Sequence, residues 1–402
     1  MQKRFSSLVK IERFSYSRSC YEQKLLTLAL TSAFSANVFA GGILLHEVAT
    51  FDSVSSAGVS NPTNRTDASA AITSPAGLTA IGDYSFSVGL QYLDAYSEQN
   101  GVNAPGNRVS TSGENQSPVP SLAYAYRLNR DWVIAASLHG DGGLGMDYEN
   151  GRSGIGIIDE ESQEALNVHF ATAYQASPNL SVGGALVVQH LMTSVDLSVA
   201  NMVSGSGDEG NTAVSFILSG MYDLTERTYI GINYKHKVDH SDKTVDVNLS
   251  NGSNASVDVG VNWPSRLDLG ISHKLTEKVT LKAMTGVEFW SDFSDALDAN
   301  DIYTLGGAAQ YQHNGWTYQA GLRYDSAMFD TDKMVPELAI AENWSFGLGA
   351  EKARSNGHRI GLAYEYRNLG THDVTYSIGD VPYFDGRMDE QRIHVLSLSY
   401  AY

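Results

Sequence analysis

Residues 84–93 read YSFSVGLQYL, and in this stretch large apolar side chains alternate with small or polar ones. Residues 316–324 (WTYQAGLRY) and 360–367 (IGLAYEYR) alternate in the same way. Because successive side chains of a β-strand point to opposite sides, each stretch has one apolar face and one polar face. An apolar outer face and a polar lumen face are typical of strands in a transmembrane β-barrel.

A soluble β-sandwich also alternates along its strands, but two features of these segments favour the membrane barrel. Their polar faces are rich in Gly, Ala and Ser, whereas a sandwich usually exposes Lys, Glu and Thr. Aromatic residues also lie near the strand ends, where the interfacial girdles of a barrel are expected. These residues are Trp132, Tyr174, Tyr229, Trp290, Tyr303, Trp316 and Trp344.

The amino terminus has the features of an export signal, which also favours an exported barrel. A basic region is followed by an apolar stretch around residues 25–30, and Val38 and Ala40 fit a signal peptidase site. We therefore predict a signal peptide over residues 1–40. Cys20 is the only cysteine, so the mature chain needs neither a disulfide nor a thiolate metal site.

Fourteen alternating segments follow, an even number as bacterial barrels require. Six short connections and seven long ones alternate between them, which places both barrel ends on the periplasmic side. We predict an all-β, 14-stranded antiparallel transmembrane barrel over residues 84–402. The segments are 84–93, 121–128, 131–139, 166–174, 180–192, 212–223, 228–237, 265–273, 279–290, 302–312, 316–325, 343–351, 359–367 and 392–402.

Residues 41–83 precede the first strand and do not alternate. A barrel of fourteen strands encloses a lumen too wide for its own side chains to fill. We predict that this segment is a plug inside the lumen; the alternative is a disordered periplasmic tail. Charged residues predicted to face the lumen would then tie plug to wall or, alternatively, bind ligand. They are Arg266, Asp268, Lys282, Glu288, Arg323, Glu351, Glu365 and Arg367.

The chain is acidic, with 45 Asp and Glu against 27 Lys and Arg. Without residues 1–40 the balance is 43 against 21, a net charge of about −22, which argues against nucleic acid as a partner. Much of the acid lies in connecting loops. These acidic residues indicate a solvated outer surface, or a surface that divalent cations bridge to lipopolysaccharide.

Several motifs, in order along the mature chain, resemble those of the FadL-like outer-membrane transporters of long-chain fatty acids, whose relatives carry aromatic hydrocarbons. Ser74 stands where the family usually has Asn. The stretches that carry the resemblance are ATF (49–51), DASA (67–70), SPAGL (74–78), WPS (263–265), VEFWSDF (287–293) and WTYQAGLRYD (316–325).

The resemblance implies passive uptake of a hydrophobic small molecule across the outer membrane of a Gram-negative bacterium. The ligand would lodge among the extracellular loops, move to a pocket beside the plug, and leave through a gap at a kink in the third strand. Glycines at 140, 142 and 143 are candidates for that gap, or they only begin a flexible loop. Candidate ligand-binding residues are Arg108, Leu144, Met146, Arg152, Ile155 and Ile157, and candidate plug or gate residues are Gly41, Ile43, Leu44, Leu45, Ser74, Pro75 and Ala76.

Two other classes stay open: a general porin for small polar solutes, and an outer-membrane phospholipase or protease. The eleven histidines lack metal-ligand spacing, and no Gly-x-Ser-x-Gly elbow is present. We therefore expect no enzymatic activity, no cofactor and no metal. The expected form is a monomer surrounded by outer-membrane lipid and lipopolysaccharide.

Overall fold

The computed structural model describes residues 46–103, 106–142, 145–148, 158–199, 203–240, 244–250, 254–258, 261–292, 299–330, 341–378 and 381–402. Most of these residues lie in β-strands, numbered β1–β20 in chain order. The strands are β1 Tyr84–Asn103, β2 Arg108–Arg127, β3 Trp132–Gly140, β4 Met146–Tyr148, β5 Ile158–Ser177, β6 Leu180–Val199, β7 Val203–Thr225, β8 Thr228–Lys235, β9 Val238–His240, β10 Thr244–Leu249, β11 Asn254–Asp258, β12 Val261–Trp263, β13 Arg266–Lys274, β14 Val279–Glu288, β15 Ile302–His313, β16 Trp316–Asp325, β17 Asn343–Ala353, β18 Arg359–Asn368, β19 His372–Ile378 and β20 Val381–Ala401.

These strands make fourteen crossings of one antiparallel barrel, which confirms the predicted fold class. Ten crossings are single strands. The third consists of β3 and β4, the seventh of β8 to β10, the eighth of β11 to β13, and the thirteenth of β18 and β19. The last crossing pairs with the first, from Ser87 opposite Ala401 to Asn103 opposite Phe384, and closes the barrel.

The exposure of side chains in β1 follows the sequence alternation. Leu90 and Tyr92 are 52% and 44% exposed on the outer face, whereas Ser87 and Gln91 are buried on the inner face. The outer face therefore presents apolar side chains to lipid, as membrane barrels require.

Two of the predicted girdle aromatics are placed differently. Trp132, Tyr303 and Trp344 are exposed on the outer face, but Trp290 is buried. Tyr229 is turned inward, and its hydroxyl donates to the Thr63 carbonyl at 3.2 Å. Proximity to a strand end does not determine which face a ring occupies, so these two girdle predictions were wrong.

Several connections predicted as long loops are strand extensions. β1 and β2 continue to a tight hairpin and pair from Tyr84 opposite Tyr126 to Val102 opposite Arg108. β6 and β7 pair up to Val199 opposite Val203. These extensions carry polar side chains on both faces, because beyond the bilayer neither face meets lipid. The alternation that identifies a membrane strand therefore ends before the strand does.

Residues 46–83, called the amino-terminal segment below, lie inside the ring of strands. The segment has short helices α1 (Phe51–Ser55) and α2 (Ala70–Thr73), and 3-10 turns at Asn61–Thr63 and Pro75–Ala80. Thr50 caps α1, its hydroxyl accepting from the Ser53 amide at 3.3 Å. No helix among the described residues is long and apolar enough to span a membrane.

The segment's backbone rests directly on lumen-facing glycines of the wall. A Cβ atom on Gly89 would lie 1.6 Å from the Ala49 carbonyl oxygen, and one on Gly231 would lie 1.9 Å from that of Pro62. On another strand, Gly321 has the same relation to Ser56, at 2.3 Å. The small residues of the lumen faces therefore leave room for a second layer of backbone.

Candidate ligand path and its supporting charge network

Glu47, near the start of the amino-terminal segment, is bound to two arginines of the wall. Its carboxylate is fully buried and pairs with Arg323 of β16 and with Arg367 of β18, where Nη2 to Oε2 is 2.7 Å. Burial alone would raise the pKa of Glu47, but the two guanidinium groups hold it well below its ordinary value. Glu47 is therefore ionised and fixes this part of the segment to two strands.

Three more ion pairs connect the segment to other parts of the wall. The Lys282 Nζ atom lies 2.5 Å from Asp52, Arg359 lies 2.8 Å from Asp67, and Arg65 lies 2.8 Å from Asp223. With the Glu47 pairs, they tie the segment to four crossings, the sixth, ninth, eleventh and thirteenth. Of the lumen-facing charges selected from sequence, Lys282, Arg323 and Arg367 take part in this attachment.

A second buried network joins the segment to the eighth and ninth crossings. The His46 Nε2 atom lies 3.0 Å from Glu288, and the Trp290 indole donates to the same carboxylate at 2.8 Å. Arg266 pairs with Asp268 at 2.8 Å and lies 3.4 Å from Glu288. Burial and the nearby Arg266 and Arg323 charges lower the pKa of His46, which favours the neutral imidazole.

The third crossing is broken between β3 and β4. The ladder to β5 runs to Gly140 opposite Leu166 and resumes at Met146 opposite Glu161. Five residues of the third crossing therefore stand opposite four of β5, one residue too many for a continuous ladder. Gly142, within the break, has a φ of +106°, a conformation that favours glycine.

At this break the buried Asp141 side chain faces the lumen. The Asp141 amide donates to the Ala165 carbonyl at 3.0 Å, and its carboxylate pairs with Lys235 of the seventh crossing. On the other side, the Asn115 side chain of β2 donates to the Gly145 carbonyl at 2.6 Å. The Ala165 amide also donates to the Gly142 carbonyl at 3.3 Å, so backbone pairing with β5 reaches Gly142, and side chains of Asp141 and Asn115 make the further contacts at the break.

Two buried apolar clusters lie near the break and the long connections. One, called the mouth cluster below, is formed by Ala165, Leu191, Val238, Trp263, Trp290, Ala299, Ile302, Met328, Phe329, Ala341, Val374 and Met388. The other is formed by Val54, Leu93, Ala95, Met146, Tyr148, Ala363, Leu369, Ile393 and Val395. Both clusters place buried apolar side chains inside the barrel, near the residues that border the break.

The structure brings together only some of the residues selected from sequence. Met146 is 2% exposed within the second cluster, Gly140 borders the break, and Gly142 lies within it. Arg108 is exposed at the start of β2, apart from both clusters. The candidates Gly41, Ile43, Leu44, Leu45, Gly143, Leu144, Arg152, Ile155 and Ile157 lie outside the described residues.

Around Ser74, the amino-terminal segment contacts β6 and β7. The Ala76 amide donates to the Ser219 hydroxyl at 2.7 Å, and a Cβ atom on Gly183 would lie 2.6 Å from the Pro75 carbonyl carbon. Ser74 is fully buried, and its hydroxyl has no partner among the described residues.

The sequence reasoning missed Glu47, Asp141 and Trp263. A charged residue among the glycines of 140–145 is a signal that could have identified Asp141, since a carboxylate in a strand break needs a partner. No group of three or more His, Cys, Asp or Glu residues among those described could hold a metal ion.

A closed fourteen-crossing barrel with an apolar outer face, an internal amino-terminal segment and a broken third crossing defines an outer-membrane transport protein. Residues 31–332 match the family model described as outer membrane protein transport protein (OMPP1/FadL/TodX). The chain belongs to this family and is an outer-membrane protein of Gram-negative type.

Individual relatives are distant in sequence but similar in structure. Outer membrane protein P1 of Haemophilus influenzae is 24% identical over 374 residues, which cover 75% of this chain and 80% of that protein. A FadL homologue from Pseudomonas aeruginosa superposes with a TM-score of 0.78 at 17% identity, covering 90% of this chain and 99% of that one. The toluene transporter TodX of P. putida has a TM-score of 0.59 at 19% identity, with coverage of 83% and 93%.

Proposed function

We propose that the protein permits passive uptake of hydrophobic compounds, long-chain fatty acids or related apolar and aromatic solutes, and that they leave sideways through the barrel wall. The observation that carries the proposal is the break in the third crossing next to buried apolar clusters. The relative TodX, described as a toluene transporter, belongs to the same structural group.

The amino-terminal segment acts as a plug in this proposal, within a chain divided into a signal peptide (1–40), plug (41–83) and barrel (84–402). A plugged lumen offers an apolar solute no watery route to the periplasm. Exit into the bilayer is also favourable, because apolar surface in water costs about 25 cal/mol per Å². In this proposal the break between Gly140 and Met146 provides that exit, and Gly140, Gly142 and Gly143 are the residues proposed to permit it.

Met146 supports an apolar path from the loops to the break, because it follows the break directly and is buried among apolar side chains. We propose that Leu144, Arg152, Ile155 and Ile157 of the same connection contribute to ligand binding, with Arg108 farther out. Gly41, Ile43, Leu44 and Leu45 would continue the plug from Glu47, beside the pocket. The protein would work as a monomer among outer-membrane lipids and lipopolysaccharide, without a catalytic step.

The register of the break gives a sharp test. Deleting Gly142 removes the one surplus residue and lets β3 and β4 join in register with β5. We expect this deletion to close the exit and reduce uptake of labelled toluene and oleate by cells to the level of cells without the protein. Deleting residues 41–45 tests, in the same assay, whether the amino-terminal end of the plug is needed for uptake.

Deleting Gly106 provides the matched control. This glycine lies in the exposed hairpin between β1 and β2, with no atom near its missing Cβ. Its deletion should leave uptake unchanged, and outer-membrane levels of all variants are compared by immunoblotting. Normal uptake of both solutes after Gly142 deletion would contradict lateral exit at this break. Equal uptake by cells with and without the protein would contradict transport itself.

A further inference from the structure

A small cavity with several polar side chains in its lining lies between the amino-terminal segment and the break in the third crossing. Its volume is about 70 Å³, room for about two water-sized groups. The segment contributes Glu47, Val48 and Thr73 to its lining. The wall residues that matter for its chemistry are His139, Asp141, His169, Asn233, Lys235 and Trp263.

Four buried polar atoms of this lining have no hydrogen-bond partner among the described residues. They are His139 Nδ1, His169 Nε2, Asn233 Oδ1 and Trp263 Nε1, and all four residues are less than 10% exposed. Leaving such atoms unpaired is costly, so their concentration around one cavity indicates that a polar group belongs there.

These atoms offer both donors and acceptors. The Trp263 indole can only donate, and the Asn233 carbonyl oxygen can only accept. His169 Nδ1 lies 3.2 Å from the Ala71 carbonyl, which fixes the proton on Nδ1 and leaves Nε2 as an acceptor in the neutral ring. A group that both donates and accepts, such as a hydroxyl, satisfies this arrangement.

The charges of the lining are already matched. Asp141 pairs with Lys235, and Arg266 pairs with Asp268 at 2.8 Å. An anionic head group would find no uncompensated cation among these residues and would lie near three carboxylates, those of Glu47, Asp141 and Asp268. The cavity therefore favours an uncharged group over a carboxylate.

Trp263 connects the polar cavity with the mouth cluster. Its ring packs in that cluster with Val238 and Trp290, while its Nε1 atom is among the unpaired atoms around the cavity. One residue thus contacts both an apolar region and a polar one. This is the arrangement needed to orient a molecule with an apolar body and a small polar end.

We propose that this cavity binds the uncharged hydrogen-bonding head group of an otherwise apolar solute, such as a phenol or a long-chain alcohol. The inference rests on the proposed transport function and specifies the substrate class. The solute's body would lie in the mouth cluster, and its hydroxyl would enter the cavity beside the break.

Three probes of similar size test it: p-cresol, toluene and p-toluate, which differ by a hydroxyl and a carboxylate. Binding to the mature protein in detergent is measured by equilibrium dialysis, with partition into empty micelles subtracted. We expect p-cresol to bind at least about threefold more tightly than toluene, because its hydroxyl gains one or two net hydrogen bonds in the cavity. We expect p-toluate to bind most weakly.

Trp263→Phe keeps an aromatic ring and removes the indole donor. It should weaken p-cresol binding about 3–10-fold more than it weakens toluene binding, because only p-cresol loses a hydrogen bond. Asn233→Leu, which removes the acceptor, should have the same selective effect. Trp344→Phe is the matched control, because Trp344 is 52% exposed on the outer face and should not affect either probe.

Equal binding of p-cresol and toluene, or an equal response of both to Trp263→Phe, would show that the cavity holds only water and would leave transport of apolar solutes standing. Tightest binding of p-toluate would identify an anion site and overturn the inference. Failure of all three probes to bind would count against the inference and the proposed function together.

Discussion

The contact between Gly89 and Ala49 allows a steric test of how the amino-terminal segment is seated. In Gly89→Ala the new Cβ atom would lie 1.6 Å from the Ala49 carbonyl oxygen, whereas an ordinary contact is about 3.4 Å, so one backbone must move by about 1.8 Å. Gly89 is held by ladders to β2 and β20, and Ala49 is two residues from the buried Glu47 ion pairs. Neither backbone can yield without breaking other interactions.

We expect Gly89→Ala to lower the free energy of unfolding by about 2–3 kcal/mol, the upper part of the range for overpacking. Urea unfolding of the protein in detergent, followed by tryptophan fluorescence, measures this loss as a lower midpoint. Trypsin cleavage at Arg65 of the segment should also become faster than in the wild type, because the displaced segment loses its ordered contacts.

Gly307→Ala, on β15, is the control. Gly307 is exposed, and its new Cβ would meet only the Lys282 carbonyl oxygen, at 3.9 Å. Alanine is favoured over glycine within a strand by about 0.5–1 kcal/mol, so this variant should be as stable as the wild type or slightly more stable. If Gly89→Ala matches Gly307→Ala in midpoint and trypsin resistance, the close seating of the segment is refuted.

Three further predictions concern the charges and the apolar path. Glu47→Gln should cost about 3 kcal/mol in urea unfolding, because it leaves two buried guanidinium groups without their shared partner, whereas the exposed Glu277→Gln should cause no measurable change. The folded-state pKa values of Glu47 and Asp52 are lowered, so their stabilisation is complete above the unfolded-state values and is lost as the pH falls through the folded-state ones. The urea midpoint should therefore fall on acidification in the wild type and less steeply in Glu47→Gln. Met146→Asp should reduce toluene uptake more than Met146→Leu does, because only the first places a charge in the apolar cluster; equal uptake by both variants would remove Met146 from the path.

The fold could be predicted because its determinants are local. Alternation in residues 84–93 and 316–324 reports the two faces of each strand, and this holds wherever one face meets lipid. Beyond the bilayer both faces meet water, so the extension of β1 to Asn103 left no periodic signal. The prediction for Trp290 was wrong for a related reason, since its position near a strand end does not specify whether the ring lies on the inner or the outer face of the wall.

The candidate site was harder to predict because its contacts join distant parts of the chain. Glu47 pairs with Arg323 and Arg367, about 280 and 320 residues away, and no local pattern records such a partnership. The glycines at 140 and 142 did indicate the break. What they could not indicate was the partner that Asp141 finds on the seventh crossing.

The small residues of the lumen faces lead to a last prediction about the empty barrel. Gly89, Gly231 and Gly321 leave space that the segment's backbone fills, so the wall has no large side chains of its own at these points. Fourteen strands enclose more space than small side chains can close. Removing residues 46–83 should therefore convert a sealed barrel into an open pore.

Planar bilayer recordings test this directly. The full-length mature protein should show little ionic conductance, and the form lacking residues 46–83 should show stable open channels. Conductance should favour anions, because Lys282, Arg323, Arg359 and Arg367 of the inner wall lose the acidic partners that the segment supplies. A heat-dependent gel shift establishes that the shortened barrel has folded. A folded, non-conducting shortened barrel would mean that the wall, not the amino-terminal segment, closes the lumen.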